Sequence, residues 1–397
     1  MRRGSAVDAI DGVVPRQVVE PDTASDLAAT LQRASRDRLV TVLRGGGTKL
    51  GWGRPSSQID LLVGTARLNS LLVHRHGDLT ATAHAGVTLA HLNRELSRHG
   101  QWLPVDSPFD EATIGGIVAT NDAGPLRHRY GTPRDLLIGV TLAMADGRLV
   151  KAGGNVVKNV AGYDLGKLVS GSFGSLAAIV DATFKLLPLP QASATLQADY
   201  EDRETLARDA AQVSASQLEP GAFDLRLEGH YRLVLRFASS PAAVNAQIES
   251  ARRLLSPASS IVTGDEEAAL WTEQVRAPWD GTGAVVRLGW LPAKLAEVMT
   301  LVHDVQQRAG GHVTMVGRVG TGAGLLRVEA DVRAQAAVIE RLRSSVWVGN
   351  VAVLRASHEL KAQVDVWGPP SGAITATRAL KQMFDPAGIL NAGRGPV

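Results

Sequence analysis

A glycine-rich segment directly after an apolar run is the first feature that could support chemistry. The apolar residues 39–43 are followed by RGGGTKLGWG, residues 44–53, in which five of the ten residues are glycine. Successive glycines let backbone N–H groups converge on an anion, because no side chain blocks the approach. We therefore expect a phosphate-binding loop at the end of a strand, with a plain turn as the alternative.

Neither of two well-known phosphate loops matches this segment. Gly46 and Gly51 have the spacing of the P-loop, but the next two residues are WG instead of Lys-Ser or Lys-Thr. Gly45 and Gly47 begin a dinucleotide fingerprint, but TKL follows them where a glycine is required. The loop is of another type.

A second glycine cluster occurs in DSPFDEATIGGIVATNDAG, residues 106–124. Thr113 is typical of a helix N-cap before Ile114, Gly115 and Gly116. We expect the free N–H groups and the positive dipole end of this helix to face a pyrophosphate. Two such sites favour a dinucleotide ligand over two unrelated turns.

Short strands and one clear helix surround these segments. Residues 71–86 predict two strands around HGD, and residues 136–154 predict a hairpin around an Asp-Gly turn. A helix is predicted after Thr88, with leucines at i, i+3 and i+7 and a stop at Gly100. The composition changes at 186–194, after which helical segments alternate with strands in a second α+β domain.

Composition limits the classes of function. The chain of 397 residues has a net charge of +3 from scattered basic residues, which does not favour nucleic acid binding. It has no cysteine, which excludes disulfides, Cys-type zinc sites and iron–sulfur clusters held by the chain itself. No apolar run follows the basic N-terminus, and the apolar segment 136–145 is too short to span a bilayer. We expect a soluble chain in a reducing cytoplasm, or one that another protein holds at a membrane.

Five motifs in order resemble one family. They are RGGGTKLGWG, ATIGGIVATNDAG, RYGTPRD, KNVAGYDLGKLVSGSFGSLAAIV and FDPAGILNAGR. Together they resemble the PCMH-type FAD-binding domain of the vanillyl-alcohol oxidase family, and within it the FAD-binding subunits of bacterial glycolate oxidase. The resemblance implies an α+β fold with a PCMH-type FAD-binding domain of two subdomains at 1–190 and an α+β cap at 191–360. A C-terminal segment, 361–397, is expected to return to the FAD domain.

The resemblance also implies the cofactor site. The residues implied are Arg44, Gly45, Gly46, Gly47, Thr48 and Lys49 at the pyrophosphate; Pro108, Thr113, Ile114, Gly115 and Gly116 on the second wall; Gly124, Tyr130 and Gly131 near the flavin; Ile179 at the adenine; and Asn391 returning towards the ring. A structural role for Tyr130 is an equally good interpretation. The family's Asn-Pro-Gly is Asn-Ala-Gly here, which reduces rigidity. Because the first loop lacks histidine and the chain lacks cysteine, FAD is expected to be non-covalent.

Substrate chemistry is less clear from the sequence. Related 2-hydroxy-acid dehydrogenases carry a histidine-rich metal segment, but residues 312–330 here contain no paired acid and histidines. Arg287, Arg318 and Arg327 are candidates to hold a carboxylate, and no catalytic base is identified. His74 and His76 lie in the other domain, where strand histidines are more often solvated than metal ligands. No metal site is predicted.

These observations favour one function and leave two alternatives. The chain is expected to be the FAD-binding subunit of a complex that oxidises glycolate to glyoxylate, with a homologous flavoprotein and an iron–sulfur subunit as partners. It would be cytoplasmic, near the inner membrane where a partner subunit holds it there. The alternatives are a stand-alone FAD-dependent dehydrogenase of D-lactate or another 2-hydroxy acid, and a binding module without flavin.

Overall fold

The structure is a computed structural model that describes residues 1–154, 162–370 and 372–395. These residues form two compact units. Unit 1 comprises Met1–Ala123, Gly131–Leu189 and Pro369–Val397, and unit 2 comprises Gly124–Tyr130 and Pro190–Gly368. The first part of the KNVAGYDLG motif lies outside the described residues. Each unit therefore combines segments that are distant in the sequence.

Unit 1 contains two larger sheets. Its strands are β1 (Arg2–Arg3), β2 (Gln17–Val19), β3 (Thr41–Arg44), β4 (Leu61–Gly64), β5 (Leu71–Arg75), β6 (Thr80–His84), β7 (Gln101–Trp102), β8 (Leu137–Ala143), β9 (Leu149–Gly153), β10 (Ala178–Lys185) and β11 (Leu187–Pro188). One sheet has the order β1-β2-β4-β3, with β4 parallel to both neighbours. The other is antiparallel with the order β5-β6-β10-β8-β9, and β7 pairs with β11. In the first sheet, β3 ends directly before the glycine-rich loop.

The helices connect and cover these strands. They are α1 (Ala24–Arg36), α2 (Leu89–Ser97), α3 (Ile114–Thr120), α4 (Arg127–Tyr130), α5 (Pro133–Leu136), α6 (Leu165–Val169), α7 (Arg203–Ala215), α8 (Pro241–Arg252), α9 (Gly264–Arg276), α10 (Leu295–Ala309), α11 (Val332–Arg343), α12 (His358–Gln363) and α13 (Ile374–Phe384). Short 3-10 turns occur at Ala6–Asp8, His76–Asp78, Pro292–Lys294 and Val319–Thr321. No helix among the described residues has the length and apolarity that crossing a bilayer requires.

The predicted helix after Thr88 is confirmed as α2. The Thr88 side chain caps it by accepting from the His91 N–H at 3.2 Å, and Gly100 takes a left-handed φ of +66° after its end. The predicted hairpins β5–β6 and β8–β9 are also present. The helices α4 and α5 were not predicted, because four residues show no helical periodicity.

The C-terminal segment is part of the core of unit 1. Leu27 and Leu31 of α1 pack in one buried cluster with Leu61 of β4 and with Ile389 and Leu390 from the tail. The Thr41 N–H donates to the Ile389 carbonyl at 2.9 Å, so the tail is hydrogen-bonded to β3. The tail therefore lies beside the strand that leads into the glycine-rich loop.

Unit 2 is a large antiparallel sheet with helices on both faces, α10 and α11 against one and α9 against the other. Its strands are β12 (Ala192–Tyr200), β13 (Ala222–Leu227), β14 (Tyr231–Ser239), β15 (Ser259–Val262), β16 (Ala284–Trp290), β17 (His312–Arg318), β18 (Ala323–Glu329) and β19 (Val348–Arg355). Their order is β15-β12-β14-β13-β17-β18-β16-β19. Leu225 and Met315 belong to the apolar core with residues of α10 and α11. Because strand side chains alternate, Arg226 and Arg318 lie on the opposite face. The expected α+β class is confirmed.

Candidate cofactor site

One cleft in unit 1 collects most of the residues that the sequence singled out. It lies between the end of β3, the start of α3, the start of β10 and the C-terminal tail. Its lining includes the predicted residues Arg44, Gly45, Gly46, Gly47, Thr48, Lys49, Thr113, Gly115, Gly116, Ile179 and Asn391. The two glycine clusters therefore belong to one site.

The first loop presents a run of backbone donors. The N–H groups of residues 45–49 donate no hydrogen bond to any described residue. Turn bonds begin only with Leu50 N–H to the Gly47 carbonyl at 3.3 Å and Trp52 N–H to the Lys49 carbonyl at 3.0 Å. Consecutive unpaired N–H groups that line a concave surface are suited to phosphate oxygens.

The glycines of this loop serve two different purposes. A Cβ on Gly45 would lie 2.1 Å from the Thr113 hydroxyl oxygen, and one on Gly46 would lie 1.8 Å from the Glu111 carbonyl oxygen. Of Gly45, Gly46 and Gly47, only Gly47 has a left-handed φ, +79°. Gly45 and Gly46 are thus required because the second segment packs directly against the loop, and Gly47 is required by its backbone conformation.

The second segment does not have the free donors that we expected. The Ile114 N–H donates to the Val87 carbonyl and the Gly115 N–H to the Ala85 carbonyl, both at 2.8 Å. The Gly116 N–H donates to the Thr113 hydroxyl at 3.4 Å. The prediction that these N–H groups are free is wrong, because residues after β6 accept from Ile114 and Gly115 and the Thr113 hydroxyl accepts from Gly116. This segment shapes the cleft wall instead.

The side chain of Arg44 points to carboxylates of the chain. Its guanidinium lies 3.1 Å from an Asp8 oxygen and 3.5 Å from a Glu20 oxygen. The hydrogen bond from Arg2, with further ones from Ser5 and Arg44, holds the pKa of the buried Asp8 carboxyl well below its usual range. The charge of Arg44 is therefore compensated within unit 1, and its backbone lines the cleft.

Lys49 is a buried cation with one carboxylate beside it. Its Nζ lies 3.1 Å from an Asp122 oxygen, and the two side chains are 6% and 12% exposed. The same Nζ lies 5.8 Å from the Trp52 ring and 5.4 Å from the Phe109 ring. It makes no hydrogen bond of good geometry to a described residue. Its N–H donors therefore remain available to an anionic ligand.

The tail supplies an acceptor. The Asn391 N–H donates to the Thr41 carbonyl at 2.8 Å, and the side-chain Nδ2 donates to the Phe173 carbonyl. The remaining amide oxygen, Oδ1, is buried without a partner among the described residues. A buried amide oxygen normally accepts a hydrogen bond, so a ligand N–H or O–H group fits here.

The other predicted residues lie outside the lining of this cleft. Ile114 is fully buried in the core, and Gly131 lies between α4 and α5 with a φ of +79°. Pro108 does not line the cleft, and Gly124 and Tyr130 belong to unit 2.

Sequence analysis missed several lining residues. Trp52, Phe173 and Arg394 line the cleft, with Trp52 and Phe173 in ring contact at a centroid distance of 6.4 Å. Trp52 and Arg394 lie inside motifs that we quoted, so proximity to Gly51 and Asn391 was the available signal.

Unit 2 carries the arginines considered for a carboxylate. Arg327 donates to the Ala277 carbonyl at 2.9 Å and to the Thr314 hydroxyl at 3.0 Å. Arg318 is 5% exposed, and its Nε has no hydrogen-bond partner among the described residues. His312 lies 3.3 Å from Glu228, and the described residues contain no group of three histidines or acids placed to hold a metal ion.

Comparison with protein families identifies the cofactor domain. Residues 15–153 match the family described as FAD binding domain, and residues 370–394 match the C-terminal domain of FAD linked oxidases. The expected resemblance to this family and the expected cofactor, FAD, are thereby confirmed. The second match includes Asn391 and Arg394.

Three curated relatives illustrate the range of similarity. Glycolate oxidase subunit GlcD of Bacillus subtilis is 26% identical over 96% of this chain and 89% of its own length. Glycolate oxidase subunit GlcE of Escherichia coli is 33% identical, over 53% of this chain and 62% of its own length. The D-lactate dehydrogenase of Archaeoglobus fulgidus is 32% identical, over 51% of this chain and 45% of its own length. The chain thus spans about half to two thirds of the length of the latter two.

Solved structures share the fold. An alkyldihydroxyacetonephosphate synthase aligns with a TM-score of 0.73 at 17% identity, over 96% of this chain and 77% of its own. A chitooligosaccharide oxidase aligns with a TM-score of 0.71 at 15% identity, over 97% of this chain and 91% of its own length. At these identities the likeness supports the architecture alone.

Proposed function

We propose that the chain is the FAD-binding subunit of a glycolate-oxidising complex. It is an FAD-dependent oxidoreductase, since it matches the FAD binding domain and the C-terminal domain of FAD linked oxidases. The observation that carries this proposal is the cleft of unit 1, where unpaired N–H groups, a buried ammonium and an unpaired amide oxygen meet. The names of the two glycolate oxidase subunits support the substrate class.

The residues of the cleft have distinct roles in this proposal. The N–H groups of residues 45–49 and the ammonium of Lys49 hold the phosphates of FAD, and the Oδ1 of Asn391 accepts a hydrogen bond from it. Bound non-covalently, FAD supplies a hydride acceptor, so that a 2-hydroxy acid loses a hydride and a proton and becomes a 2-oxo acid. Ile179 contributes apolar wall at the start of β10.

Substrate chemistry belongs to a partner in this proposal. The hairpin β17–β18 carries His312, but this side chain is bound to Glu228 and Thr314. The proposed partners are a homologous flavoprotein that supplies the proton acceptor and an iron–sulfur subunit that takes the electrons. The proposal places the iron–sulfur cluster in a partner because this chain has no cysteine to ligate one. The complex would be cytoplasmic, near the inner membrane where a partner holds it there.

Reconstitution tests this proposal. The isolated chain should retain FAD but show no more turnover of glycolate or D-lactate with an artificial electron acceptor than free FAD does. Co-expression with the two partners should restore turnover. Robust turnover by the chain alone would reject the subunit role, and a colourless purified chain would reject the cofactor site.

One observation favours a second candidate, a stand-alone 2-hydroxy-acid dehydrogenase. Arg318 is a buried cation, and its Nε has no hydrogen-bond partner among the described residues. An unpaired buried charge is costly, so a carboxylate ligand would stabilise it. In this candidate Arg318 binds the substrate carboxylate in unit 2.

Arg318 separates the two candidates. If the chain binds substrate itself, Arg318→Met should raise the KM for D-lactate by about tenfold or more without loss of FAD, as expected when a hydrogen bond to a charged group is lost. Arg333→Met, at an exposed position of the same unit, serves as the control. Unchanged kinetics in Arg318→Met would reject the second candidate.

A further inference from the structure

Arg394 ties the C-terminal tail to the loop that follows the glycines. Its Nη2 donates to the Trp52 carbonyl at 3.1 Å and also to the Leu50 carbonyl, and its Nη1 lies 3.5 Å from an Asp11 oxygen. The residue is 5% exposed, and burial lowers the pKa of its guanidinium relative to the usual value. A buried guanidinium therefore bridges two carbonyls of one loop.

The loop returns hydrogen bonds to the tail. The Arg54 N–H donates to the Arg394 carbonyl at 3.1 Å, and the Arg54 guanidinium donates to the Gly395 carbonyl at 2.5 Å. We call this reciprocal set, made by Arg394 and Arg54, the arginine clasp. It joins residues 50–54 to residues 394 and 395.

The clasp acts on the part of the loop that lines the cleft. Lys49, Leu50 and Trp52 all line it, and they lie between β3 and β4, where no regular element supports the chain. Within the loop, two turn bonds of 3.0 and 3.3 Å connect residues 47–52. The carbonyl contacts from Arg394 add support from outside the loop.

We propose that Arg394 is a positioning residue, whose clasp fixes the loop at 48–54 in the conformation that receives FAD. This inference rests on the proposed placement of FAD in the cleft. The Nη2 atom donates to both carbonyls while Nη1 lies near Asp11, and the single ammonium of a lysine cannot occupy both positions at once. Charge alone is thus insufficient at this position.

The full-length chain, freed of flavin, provides the test. FAD affinity is measured by the quenching of flavin fluorescence, and loop order by hydrogen–deuterium exchange at 45–54 without FAD. Arg394→Met should weaken FAD binding about tenfold or more, as expected for lost hydrogen bonds from a charged donor, and should speed exchange at 48–54. Arg394→Lys should resemble Arg394→Met in both measurements. Arg378→Met, an exposed arginine of α13, should leave both unchanged.

Arg54→Met keeps the test decisive if Arg394→Met does not fold. This variant removes the bond to Gly395 and leaves the contacts of Arg394 in place, so it should speed exchange at the same segment with a smaller loss of affinity. Lost affinity in Arg394→Met, with exchange at 48–54 equal to that of the unchanged chain, would overturn the clasp and make Arg394 a direct charge for the ligand. If the unchanged chain does not bind FAD, the proposed cofactor site fails, while exchange in the variants still decides whether the clasp orders the loop.

Discussion

At the scale of single residues, Gly46 is the strictest steric constraint on the glycine-rich loop. Its Cβ position lies 1.8 Å from the Glu111 carbonyl oxygen, whereas nothing lies within 4 Å of that of Gly51. Gly46→Ala should push the two segments apart, destabilise the fold by about 1–3 kcal/mol as overpacking does, and lower FAD content. Gly51→Ala is the matched control and should keep both the stability of the fold and the FAD content. Urea unfolding measures the first and flavin absorbance the second. Equal FAD content in both variants would contradict the close packing of the segments.

Asp8 makes a pH-dependent contribution to stability. Because hydrogen bonds from Arg2, Ser5 and Arg44 lower its pKa in the folded state, the carboxylate stabilises the fold at neutral pH. This contribution is present above the unfolded pKa of about 3.9 and is lost as the pH falls further.

Asp8→Asn should therefore cost about 1–3 kcal/mol at pH 7, since hydrogen bonds to a charged group are removed. The difference from the unchanged chain should shrink at pH 3. Urea unfolding at both pH values measures it, and Asp37→Asn, at an exposed ion pair, is the control. A difference that does not depend on pH would show that ionisation of Asp8 is not responsible.

The sequence predicted the backbone segment that lines the site, but not the ion pairs of its charged side chains. The run at 45–49 was recognisable because glycine types alone indicate exposed backbone. The pairing of Arg44 with Asp8 and of Lys49 with Asp122 was not, because it depends on which segments the fold brings together. The use of the Ile114 and Gly115 N–H groups was missed for the same reason, since their acceptors lie after β6.

At the scale of elements, the tail is a third contributor to the sheet around β3. Ile389 and Leu390 are buried, and Thr41 exchanges hydrogen bonds with the tail. Sequence analysis predicted the return of this segment through a family resemblance, because no local pattern in FDPAGILNAGR indicates its partner strand.

Ending the chain after Met383 should therefore reduce both FAD affinity and the stability of unit 1. Removing two buried aliphatic side chains costs roughly 2–5 kcal/mol each in other cores, so the loss should be large. Thermal unfolding and FAD titration measure it, and Met383→Lys, whose side chain is 73% exposed, should behave like the unchanged chain. A truncated chain that binds FAD normally would exclude the tail from the site.

At the scale of the whole molecule, each unit has its own core. The large cluster that contains Phe223 and Val298 lies within unit 2, and the clusters that contain Leu92 and Leu31 lie within unit 1. We expect two calorimetric transitions, because separate cores can unfold separately. Saturating FAD should shift only the transition assigned to unit 1. At a thousandfold excess over Kd, the free energy of unfolding of that unit should rise by ~4 kcal/mol.

Gly46→Val provides the comparison for this measurement. Without FAD binding, neither transition of this variant should move when FAD is added. Assignment uses hydrogen–deuterium exchange at β4 and β13 through each transition. A shift of both transitions by FAD would mean that the ligand also stabilises unit 2.

The hydrogen bonds between Thr41 and the tail also impose an order of events in the cell. During translation, β3 and the glycine-rich loop leave the ribosome early, whereas residues 389–391 follow only after all of Pro190–Gly368 has been synthesised. Until then, Leu61 and Leu31 lack the apolar partners that complete their cluster. The nascent cofactor loop must therefore wait, partly supported, until residues 389–391 have been synthesised. We therefore expect FAD to bind only after a late step of folding. Slow translation of unit 2 would prolong the partly folded state, in which unit 1 is exposed to proteases.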